Sequence, residues 1–505
     1  MELDLVLHGG TIYTGDDDQP VVGDVGIAGD RIVFVGQPAQ GRRFNPRRTI
    51  DVTGRIVAPG FIDAHTHADQ DLFADDLKKR LNTPFLTQGV TTAVIGNDGF
   101  GGFDIAAQAE RARRQPVGTN FAMYVGFGPV RIDQLGEKNA VPTPEQLDAM
   151  KKNVARGMCE GALGLSTGLF YSPQNFAKTE EVIELAKVAA RHGGIYDSHI
   201  RDESIYNIGL KASIDEVIRI GREARLPVHV AHIKALGVDV QGQSGDIIRR
   251  IDAERAKGLD ITADHYPWTA SSTRFSAALI PPWALDGGAK ALLQRFDDPS
   301  VQQKLRTDTQ ENLRLRGGPD AILFAAGNPR YVGKTLTQVM QASGQDAVDA
   351  TIAVLRGGDL LIASFNQSDD DVRAFMKQPW VMTSSDSSPG HPRAVGTFSR
   401  KYDQYVVKEK TITLAQFIRS SSALTADTLG LAGRGHLRPG YIADVVVFDP
   451  QGYAARATYT QPTLLSTGVQ TVLVNGQLAV DDGEPTGVAA GQALLRAPKP
   501  GTCPA

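Results

Sequence analysis

The sequence predicts an α/β protein: a (β/α)8 TIM-like barrel carrying a small β-sandwich built from both chain termini. Three observations carry this expectation. Across residues 59–430 short apolar strands alternate with amphipathic helical stretches, which is the rhythm of a parallel sheet. Both ends of the chain are runs of short strands, and such strands leave open edges unless they pair with each other. The 53 glycines among 505 residues suit many tight connections between strands and helices.

The elements follow in order. Residues 1–58 form the first part of the sandwich: Leu5–Leu7, Thr11–Tyr13, Val25–Ile27, Arg31–Val35 and Thr49–Val52 read as strands, with Gly9-Gly10, Gly29-Asp30 and Thr53-Gly54 as turns. The barrel occupies 59–430. Its apolar strands include Ala93–Gly96, Phe121–Val125, Gly164–Ser166, Gly194–Asp197, Val228–Ala231 and Asp260–Ala263, separated by helical patterns such as Glu180–His192 and Ile214–Ala224. A helix-rich insertion is expected at about 283–342. The sandwich resumes over 431–487 with Ala443–Asp449 and Val469–Gly476. A tail at 488–505, with Pro498, Pro500 and Pro504, reads as a loosely held terminus.

Composition narrows the function classes. A hydrophobic content of 41%, a charged content of 22% and a net charge of −4 describe an ordinary globular chain. They give no reason to expect nucleic acid or an anionic membrane as partner. The expected partner is a small-molecule substrate, with a homo-oligomer left open. Only two cysteines occur, Cys159 and Cys503, so no disulfide framework is expected. The start lacks the pattern of a secretory signal and no run reaches about 18 apolar residues, which reads as cytoplasmic.

The chemistry collects at strand ends. His65 and His67 follow Phe61-Ile62 and stand two residues apart, so a strand aims both imidazoles at one point. Alone, the pair reads more readily as two core or surface histidines than as metal ligands. Further polar residues follow later strands: Asp98 after Val94-Ile95-Gly96, His199 after Tyr196-Asp197, His232 after Val228–Ala231, and Asp386 after Trp380–Thr383. In a barrel these positions share the active face. As buried groups each would otherwise need its own partner. The donors are nitrogen and oxygen only, which suits zinc or another divalent ion. His65 and His67 with Asp386 form one candidate site and His199 with His232 another, with Asp98 placed to bridge; counting does not decide between one metal and two. Such a metal makes water nucleophilic near neutral pH, and Asp386 can take and return its proton.

Pro59-Gly-Phe-Ile-Asp-Ala-His-Thr-His67 and Arg438–Asp449 resemble the opening and closing signatures of the amidohydrolase superfamily. Within it the chain resembles the N-acyl-D-amino-acid deacylase (D-aminoacylase) family over nearly its whole length, through Gly89–Asn97, Gly161–Tyr171, Ser198–Glu203, Ala231–Lys234, Asp264–Thr273 and His391–Phe398. The resemblance implies a metal-bearing barrel that hydrolyses the amide of N-acyl-D-amino acids. It implies His65, His67, His199 and His232 as ligands, Asp386 as the catalytic aspartate, and Tyr171, Lys234, Tyr266, Ser272 and Arg393 around the substrate's carboxylate or carbonyl. Arginine, lysine and hydroxyls suit that task. His229 is expected to face away from the site, His391 to shape the loop presenting Arg393, and His265 has no assigned part.

Two departures stand out. The family has cysteine where this chain has Asp98, and its Gly-His-Gly reads Gly126-Phe127-Gly128 ahead of Arg131, which suggests a more apolar acyl or side-chain pocket. The alternatives kept open are hydrolysis of a cyclic imide, a hydantoin or a D-residue dipeptide at the same site, and a non-catalytic scaffold of the same fold.

Overall fold

The computed structural model describes residues 2–16, 19–38 and 44–503. Eight parallel strand positions surround its centre: Phe61–Asp63, Val90–Ile95, Asn120–Met123 continued by Val125–Gly126, Gly164–Gly168, Ile195–His199, Val228–Val230, Ile261–His265 and Val381–Thr383. The first three form one arc and the remainder, beginning at Val125–Gly126, a second. Backbone hydrogen bonds cross both gaps, Leu163 N to Met123 O at 2.8 Å and Ala64 N to Thr383 O at 3.4 Å. The barrel therefore closes between its first and last strands. Every residue of these strands is buried, as expected where helices cover the outside and side chains fill the inside.

The covering helices are amphipathic. Thr179–Arg191 buries Val182, Ile183, Leu185, Ala186, Val188 and Ala189, and Leu210–Ala224 buries Ile214, Val217, Ile218 and Gly221. Both sets follow the spacing of one helix face. Between the seventh and eighth barrel strands, Ala270–Arg274, Ile322–Ala326 and Leu361–Phe365 make a separate antiparallel sheet. Its helices Gly288–Arg295 and Gln302–Leu315 enclose a core of their own around Phe275, Leu305 and Phe324. The segment thus mixes strand with helix, and it reaches beyond 283–342 on both sides.

The two chain ends meet in one nine-stranded sheet. Ile56–Pro59 is its seam, pairing in parallel with Glu2–Ile12 on one side and antiparallel with Val445–Phe448 on the other. Leu5, Leu7, Val25, Ile27, Val445 and Leu473 pack in the core this sheet encloses.

Two expectations fail at the C-terminus. Cys159 and Cys503 form a disulfide, spanning 344 residues of sequence. The tail is also not loose: Gly491 N bonds Val117 O, Leu494 N bonds Phe121 O, Arg496 N bonds Gly161 O and Lys499 N bonds His192 O. It runs as a strap across the outside of the barrel. Its hydrogen bonds use backbone atoms, which need no hydrophobic period, so prolines and polar side chains concealed the docking. No helix among the described residues is long and apolar enough to cross a membrane.

Candidate metal centre

The first and eighth strands are laced together where the site begins. Asp63 Oδ1 accepts from Ser385 N at 2.9 Å, Asp386 N donates to His65 O at 2.9 Å, and His67 N approaches Ser387 Oγ at 3.1 Å. Burial pushes the Asp63 carboxyl up to about 8 despite its bonds to Ser385 and His65. These contacts set His65 and His67 beside Asp386.

Asp98 sits at φ 56°, His232 at 34° and Asp386 at 46°. Non-glycine residues enter this region at a cost of roughly 1 kcal/mol or more each, and such strain clusters at functional sites. At Asp98 the conformation is held from outside: Gln174 Nε2 donates to its carbonyl at 3.0 Å and Gly99 N donates to Ser166 Oγ at 3.0 Å. Gly168 has to lack a side chain here, because a Cβ would stand 2.2 Å from Asp98 O.

The result is a ring of donors about Asp98. Its Oδ1 lies 3.2 Å from His232 Nε2, 3.4 Å from His65 Nε2 and 3.7 Å from His199 Nδ1; its Oδ2 lies 3.5 Å from His67 Nε2. His199 Nδ1 and His232 Nε2 are 2.8 Å apart, and His67 Nε2 is 3.2 Å from Asp386 Oδ1. Two ligand groups share Asp98: His65, His67, Asp98 and Asp386, and Asp98, His199 and His232. Burial opposes charge on Asp98, but His65, His232 and His199 hold its carboxyl well below the usual range. For His67, burial is outweighed by Asp386 and Asp98, which raise it to about 10. These carboxylates call for positive charge in the ring. Both nitrogens of His65 and Nε2 of His199 are buried without a hydrogen-bond partner. Orphaned imidazole nitrogens facing carboxylates, with no sulfur in the set, fit a divalent cation such as zinc.

The residues expected around the substrate line the same space. Lys234, Tyr171, Tyr266, Ser272 and Asp386 border one enclosed cavity with His199 and His232. Arg393 is fully buried behind them, its guanidinium 4.7 Å from the Tyr266 ring centre. Both cations are already engaged. Arg393 Nη1 stands 2.9 Å from Asp386 Oδ2 and Nη2 donates to Ser388 Oγ at 2.8 Å, while Lys234 Nζ lies 2.6 Å from Glu203 Oε1. Burial would raise Asp386, but Arg393 and His67 keep it far below the ordinary carboxylate range.

Glu203 went unassigned in the sequence. It is buried, 3.1 Å from His232 Nδ1, and it fixes the far side of that ring. A buried Lys234 needs a carboxylate, and Glu203 four residues after His199 was the signal available. Asp264 was also unassigned: its Oδ2 lies 2.8 Å from His229 Nε2 and 3.8 Å from His65 Nδ1. His229 so packs behind the ring. His265 bonds Ile233 O at 2.8 Å. His391 Nδ1 accepts from Arg393 N at 3.1 Å, which shapes the turn that carries Arg393. Phe127 does not make the site wall more apolar, contrary to expectation. It is fully buried in the barrel core, and Arg131 beside it is taken up by Glu181. Beyond Tyr171 a wider, mostly apolar groove of about 330 Å³ is bordered by Phe100, Leu285 and Leu292.

This arrangement agrees with what the chain resembles. Residues 48–480 match the amidohydrolase family. A D-aminoacylase of Alcaligenes xylosoxydans xylosoxydans is 32% identical, with 98% of each chain covered. A D-aminoacylase structure described for its binuclear metal centre superposes with a TM-score of 0.83 at 31% identity, over 98% of this chain and 100% of the other. An N-acyl-D-glutamate deacylase of Bordetella bronchiseptica, complexed with zinc and a phosphonate mimic of the tetrahedral intermediate, superposes with a TM-score of 0.81 at 30% identity, over 98% and 100%. With likeness of sequence and fold along almost the full chain, this protein belongs to the amidohydrolase family, in its group of N-acyl-D-amino-acid deacylases.

Proposed function

We propose that this protein hydrolyses the amide bond of N-acyl-D-amino acids to a carboxylate and a free D-amino acid. One observation carries the reading most: four imidazoles and two carboxylates from five strand ends converge within hydrogen-bonding or ion-pair reach. His65, His67, Asp98, His199 and His232 would hold zinc or another divalent metal, as one ion or as two sharing Asp98. When bound, such an ion polarises the amide carbonyl and lowers the pKa of water.

The chain's own residues supply the rest. Asp386 is kept ionised by Arg393 and so accepts the proton of the attacking water as its oxygen bonds to the carbonyl carbon. It returns that proton to nitrogen as the C–N bond breaks. Tyr171 stays protonated, since burial and Asp98 raise its pKa well above the usual value, so its hydroxyl donates to the carbonyl oxygen. Ser272, whose buried Oγ lacks a partner, and Tyr266 orient the α-carboxylate towards Arg393. Lys234, tied to Glu203 and 2.7 Å from His232 Nδ1, adds positive charge beside the ring and at the substrate's end of the cavity.

The test is a panel of N-acetyl-D- and N-acetyl-L-amino acids with the purified full chain, before and after chelation and with zinc restored. D-selective, metal-dependent release of amine is expected. L-isomers cleaved as fast as D-isomers, or activity confined to cyclic imides, would remove the substrate assignment. As to place, the Cys159–Cys503 bond favours an oxidising compartment over the cytoplasm suggested by the sequence.

A further inference from the structure

Away from the barrel mouth, metal-binding side chains gather once more among the described residues, where the C-terminal strap ends. Cys159 is the last residue of the helix Pro144–Cys159, and His192 caps the C-terminal end of Thr179–Arg191. These two helices lie side by side on the outside of the barrel. The strap is fixed against them. Lys499 N donates to His192 O at 3.1 Å, Thr502 Oγ1 donates to Lys499 O at 2.6 Å, and this turn brings Cys503 onto Cys159.

His192 Nδ1 stands 3.7 Å from Cys159 Sγ, 3.5 Å from Cys503 Sγ and 3.1 Å from Thr502 Oγ1. The crosslink has no need of this imidazole, because a covalent bond holds the two sulfurs whatever stands beside them. The contacts are also poor ones for a buried ring: sulfur accepts weakly, and the Thr502 hydroxyl gives its proton to Lys499 O. Both sulfurs and the ring nitrogen lie within 4.8 Å of one another. Two thiolates and an imidazole make three corners of a tetrahedral zinc site, whose fourth corner water can fill. Such a set is softer than the nitrogen and oxygen ring around Asp98. His192 is buried, but both cysteines are half-buried, open to a reductant and to an ion.

We infer that Cys159, His192 and Cys503 bind zinc once their disulfide is reduced, so that the strap is closed by a covalent bond in one redox state and by a metal in the other. A dithiol opens the bond in two exchange steps. Its first thiolate attacks one sulfur and releases the other cysteine; its second releases the remaining cysteine, and the reductant departs as a cyclic disulfide. The reductant's two electrons and two protons end on Cys159 and Cys503. Zinc then displaces both thiol protons into water and takes the lone pair of His192 Nδ1. Tetrahedral zinc spaces two sulfurs by about 3.8 Å. The Cα atoms of Cys159 and Cys503 are 5.6 Å apart, so both sulfurs reach one ion. The site stands independently of the deacylase reading, which rests on the ring at the barrel mouth.

The experiment uses the full chain with cobalt(II) as a probe for zinc, because thiolate bound to cobalt gives a near-ultraviolet charge-transfer band that nitrogen and oxygen ligands do not. The chain has two cysteines, so the band reports this site and not the ring of His65, His67, Asp98, His199 and His232. The oxidised protein should show no band. After reduction with dithiothreitol and its removal without air, cobalt should raise the band to saturation at one ion per chain, and zinc should displace the cobalt and erase it. His192→Ala should weaken binding at least about tenfold, since even a partner standing behind a ligand is worth about 10–100-fold in metal affinity. No band in the reduced wild type, or an affinity that His192→Ala leaves unchanged, overturns the inference. If His192→Ala does not fold, the reduced wild type decides through amide exchange in residues 491–499. Zinc at ten times its Kd should slow that exchange by about tenfold, and equal rates with and without zinc refute the site.

Discussion

Replacing Asp386 by asparagine isolates proton transfer from the rest of the site. The substitution conserves shape, keeps one oxygen to accept from Arg393 and removes the charge. In the structure Asp386 lies 2.9 Å from Arg393 Nη1 and 3.2 Å from His67 Nε2, so it links the buried arginine to the metal ring. Breaking a buried pair by removing one partner costs about 3–5 kcal/mol; the retained amide oxygen puts the stability loss at the low end of that range. General base catalysis contributes about 10²–10⁴ in rate, equivalent to about 3–5 kcal/mol of barrier. Asp386→Asn should therefore lower kcat by that factor. Bound zinc should stay as in the wild type, because four histidines and Asp98 remain. Metal content per chain, kcat, KM and a denaturant melt separate the possibilities. A near-normal rate with metal retained would show that the proton passes elsewhere, and a rate lost only in step with metal would make Asp386 a ligand alone.

Two more perturbations address the fold around the site. Lys401 is 1% exposed, donates to Thr383 Oγ1 at 2.7 Å and Ser420 Oγ at 3.1 Å, and burial lowers its pKa to about 7. An unfolded lysine titrates near 10.4, so from about pH 7 to 10 the unfolded chain holds a proton that the folded one does not. Stability must then rise with pH across that window, by an amount on the order of 4 kcal/mol at most. Lys401→Met should flatten this slope in melts at pH 7 and pH 9.5, and an unaltered slope would show that the ammonium is compensated in the native protein. Cys159→Ser should increase amide exchange in residues 491–499 with little change in kcat, since the strap lies outside the barrel. Unchanged protection would mean that its backbone bonds hold it without the disulfide.

How far the sequence could be read followed from the kind of information each feature uses. Barrel strands such as Val90–Ile95 and Ile195–His199 are apolar runs next to amphipathic helices, and that contrast lies in neighbouring residues. The join of the two ends at Ile56–Pro59 was foreseeable because open edges must pair. His65, His67, His199, His232 and Asp386 were visible as polar residues placed just after apolar strands. The conformations of Asp98, His232 and Asp386 were not, because nothing in those residue types demands a positive φ; that of Asp98 is held by Gln174 and Ser166, and that of Asp386 by contacts between first and last strands. Nor could the commitments of Lys234 and Arg393 be seen. Each was expected to face the substrate, and each spends its charge first on a carboxylate brought in by the fold. Phe127 was misread because a residue replacing a site histidine need not line the site. The Cys159–Cys503 bond joins positions that only the folded strap makes neighbours.

The charge balance explains why these residues belong together. Lys234 neutralises Glu203 and Arg393 neutralises Asp386, so within the ring Asp98 alone lacks a fixed cation and faces four imidazoles. One proton on a histidine would suffice to match it, but then at least one imidazole is lost as a metal donor. A divalent ion matches it, uses the orphaned nitrogens and leaves a net positive charge. That excess adds to the guanidinium of Arg393, part of whose charge is already committed to Asp386, in drawing an anionic substrate. A thiolate at position 98 would carry the same formal charge on one softer atom, whereas a carboxylate spreads it over two oxygens that can reach two ions. Zinc stoichiometry across Asp98→Cys would read this directly: if both side chains hold the same number of ions with the same affinity, the bidentate reach of Asp98 is not what sets occupancy.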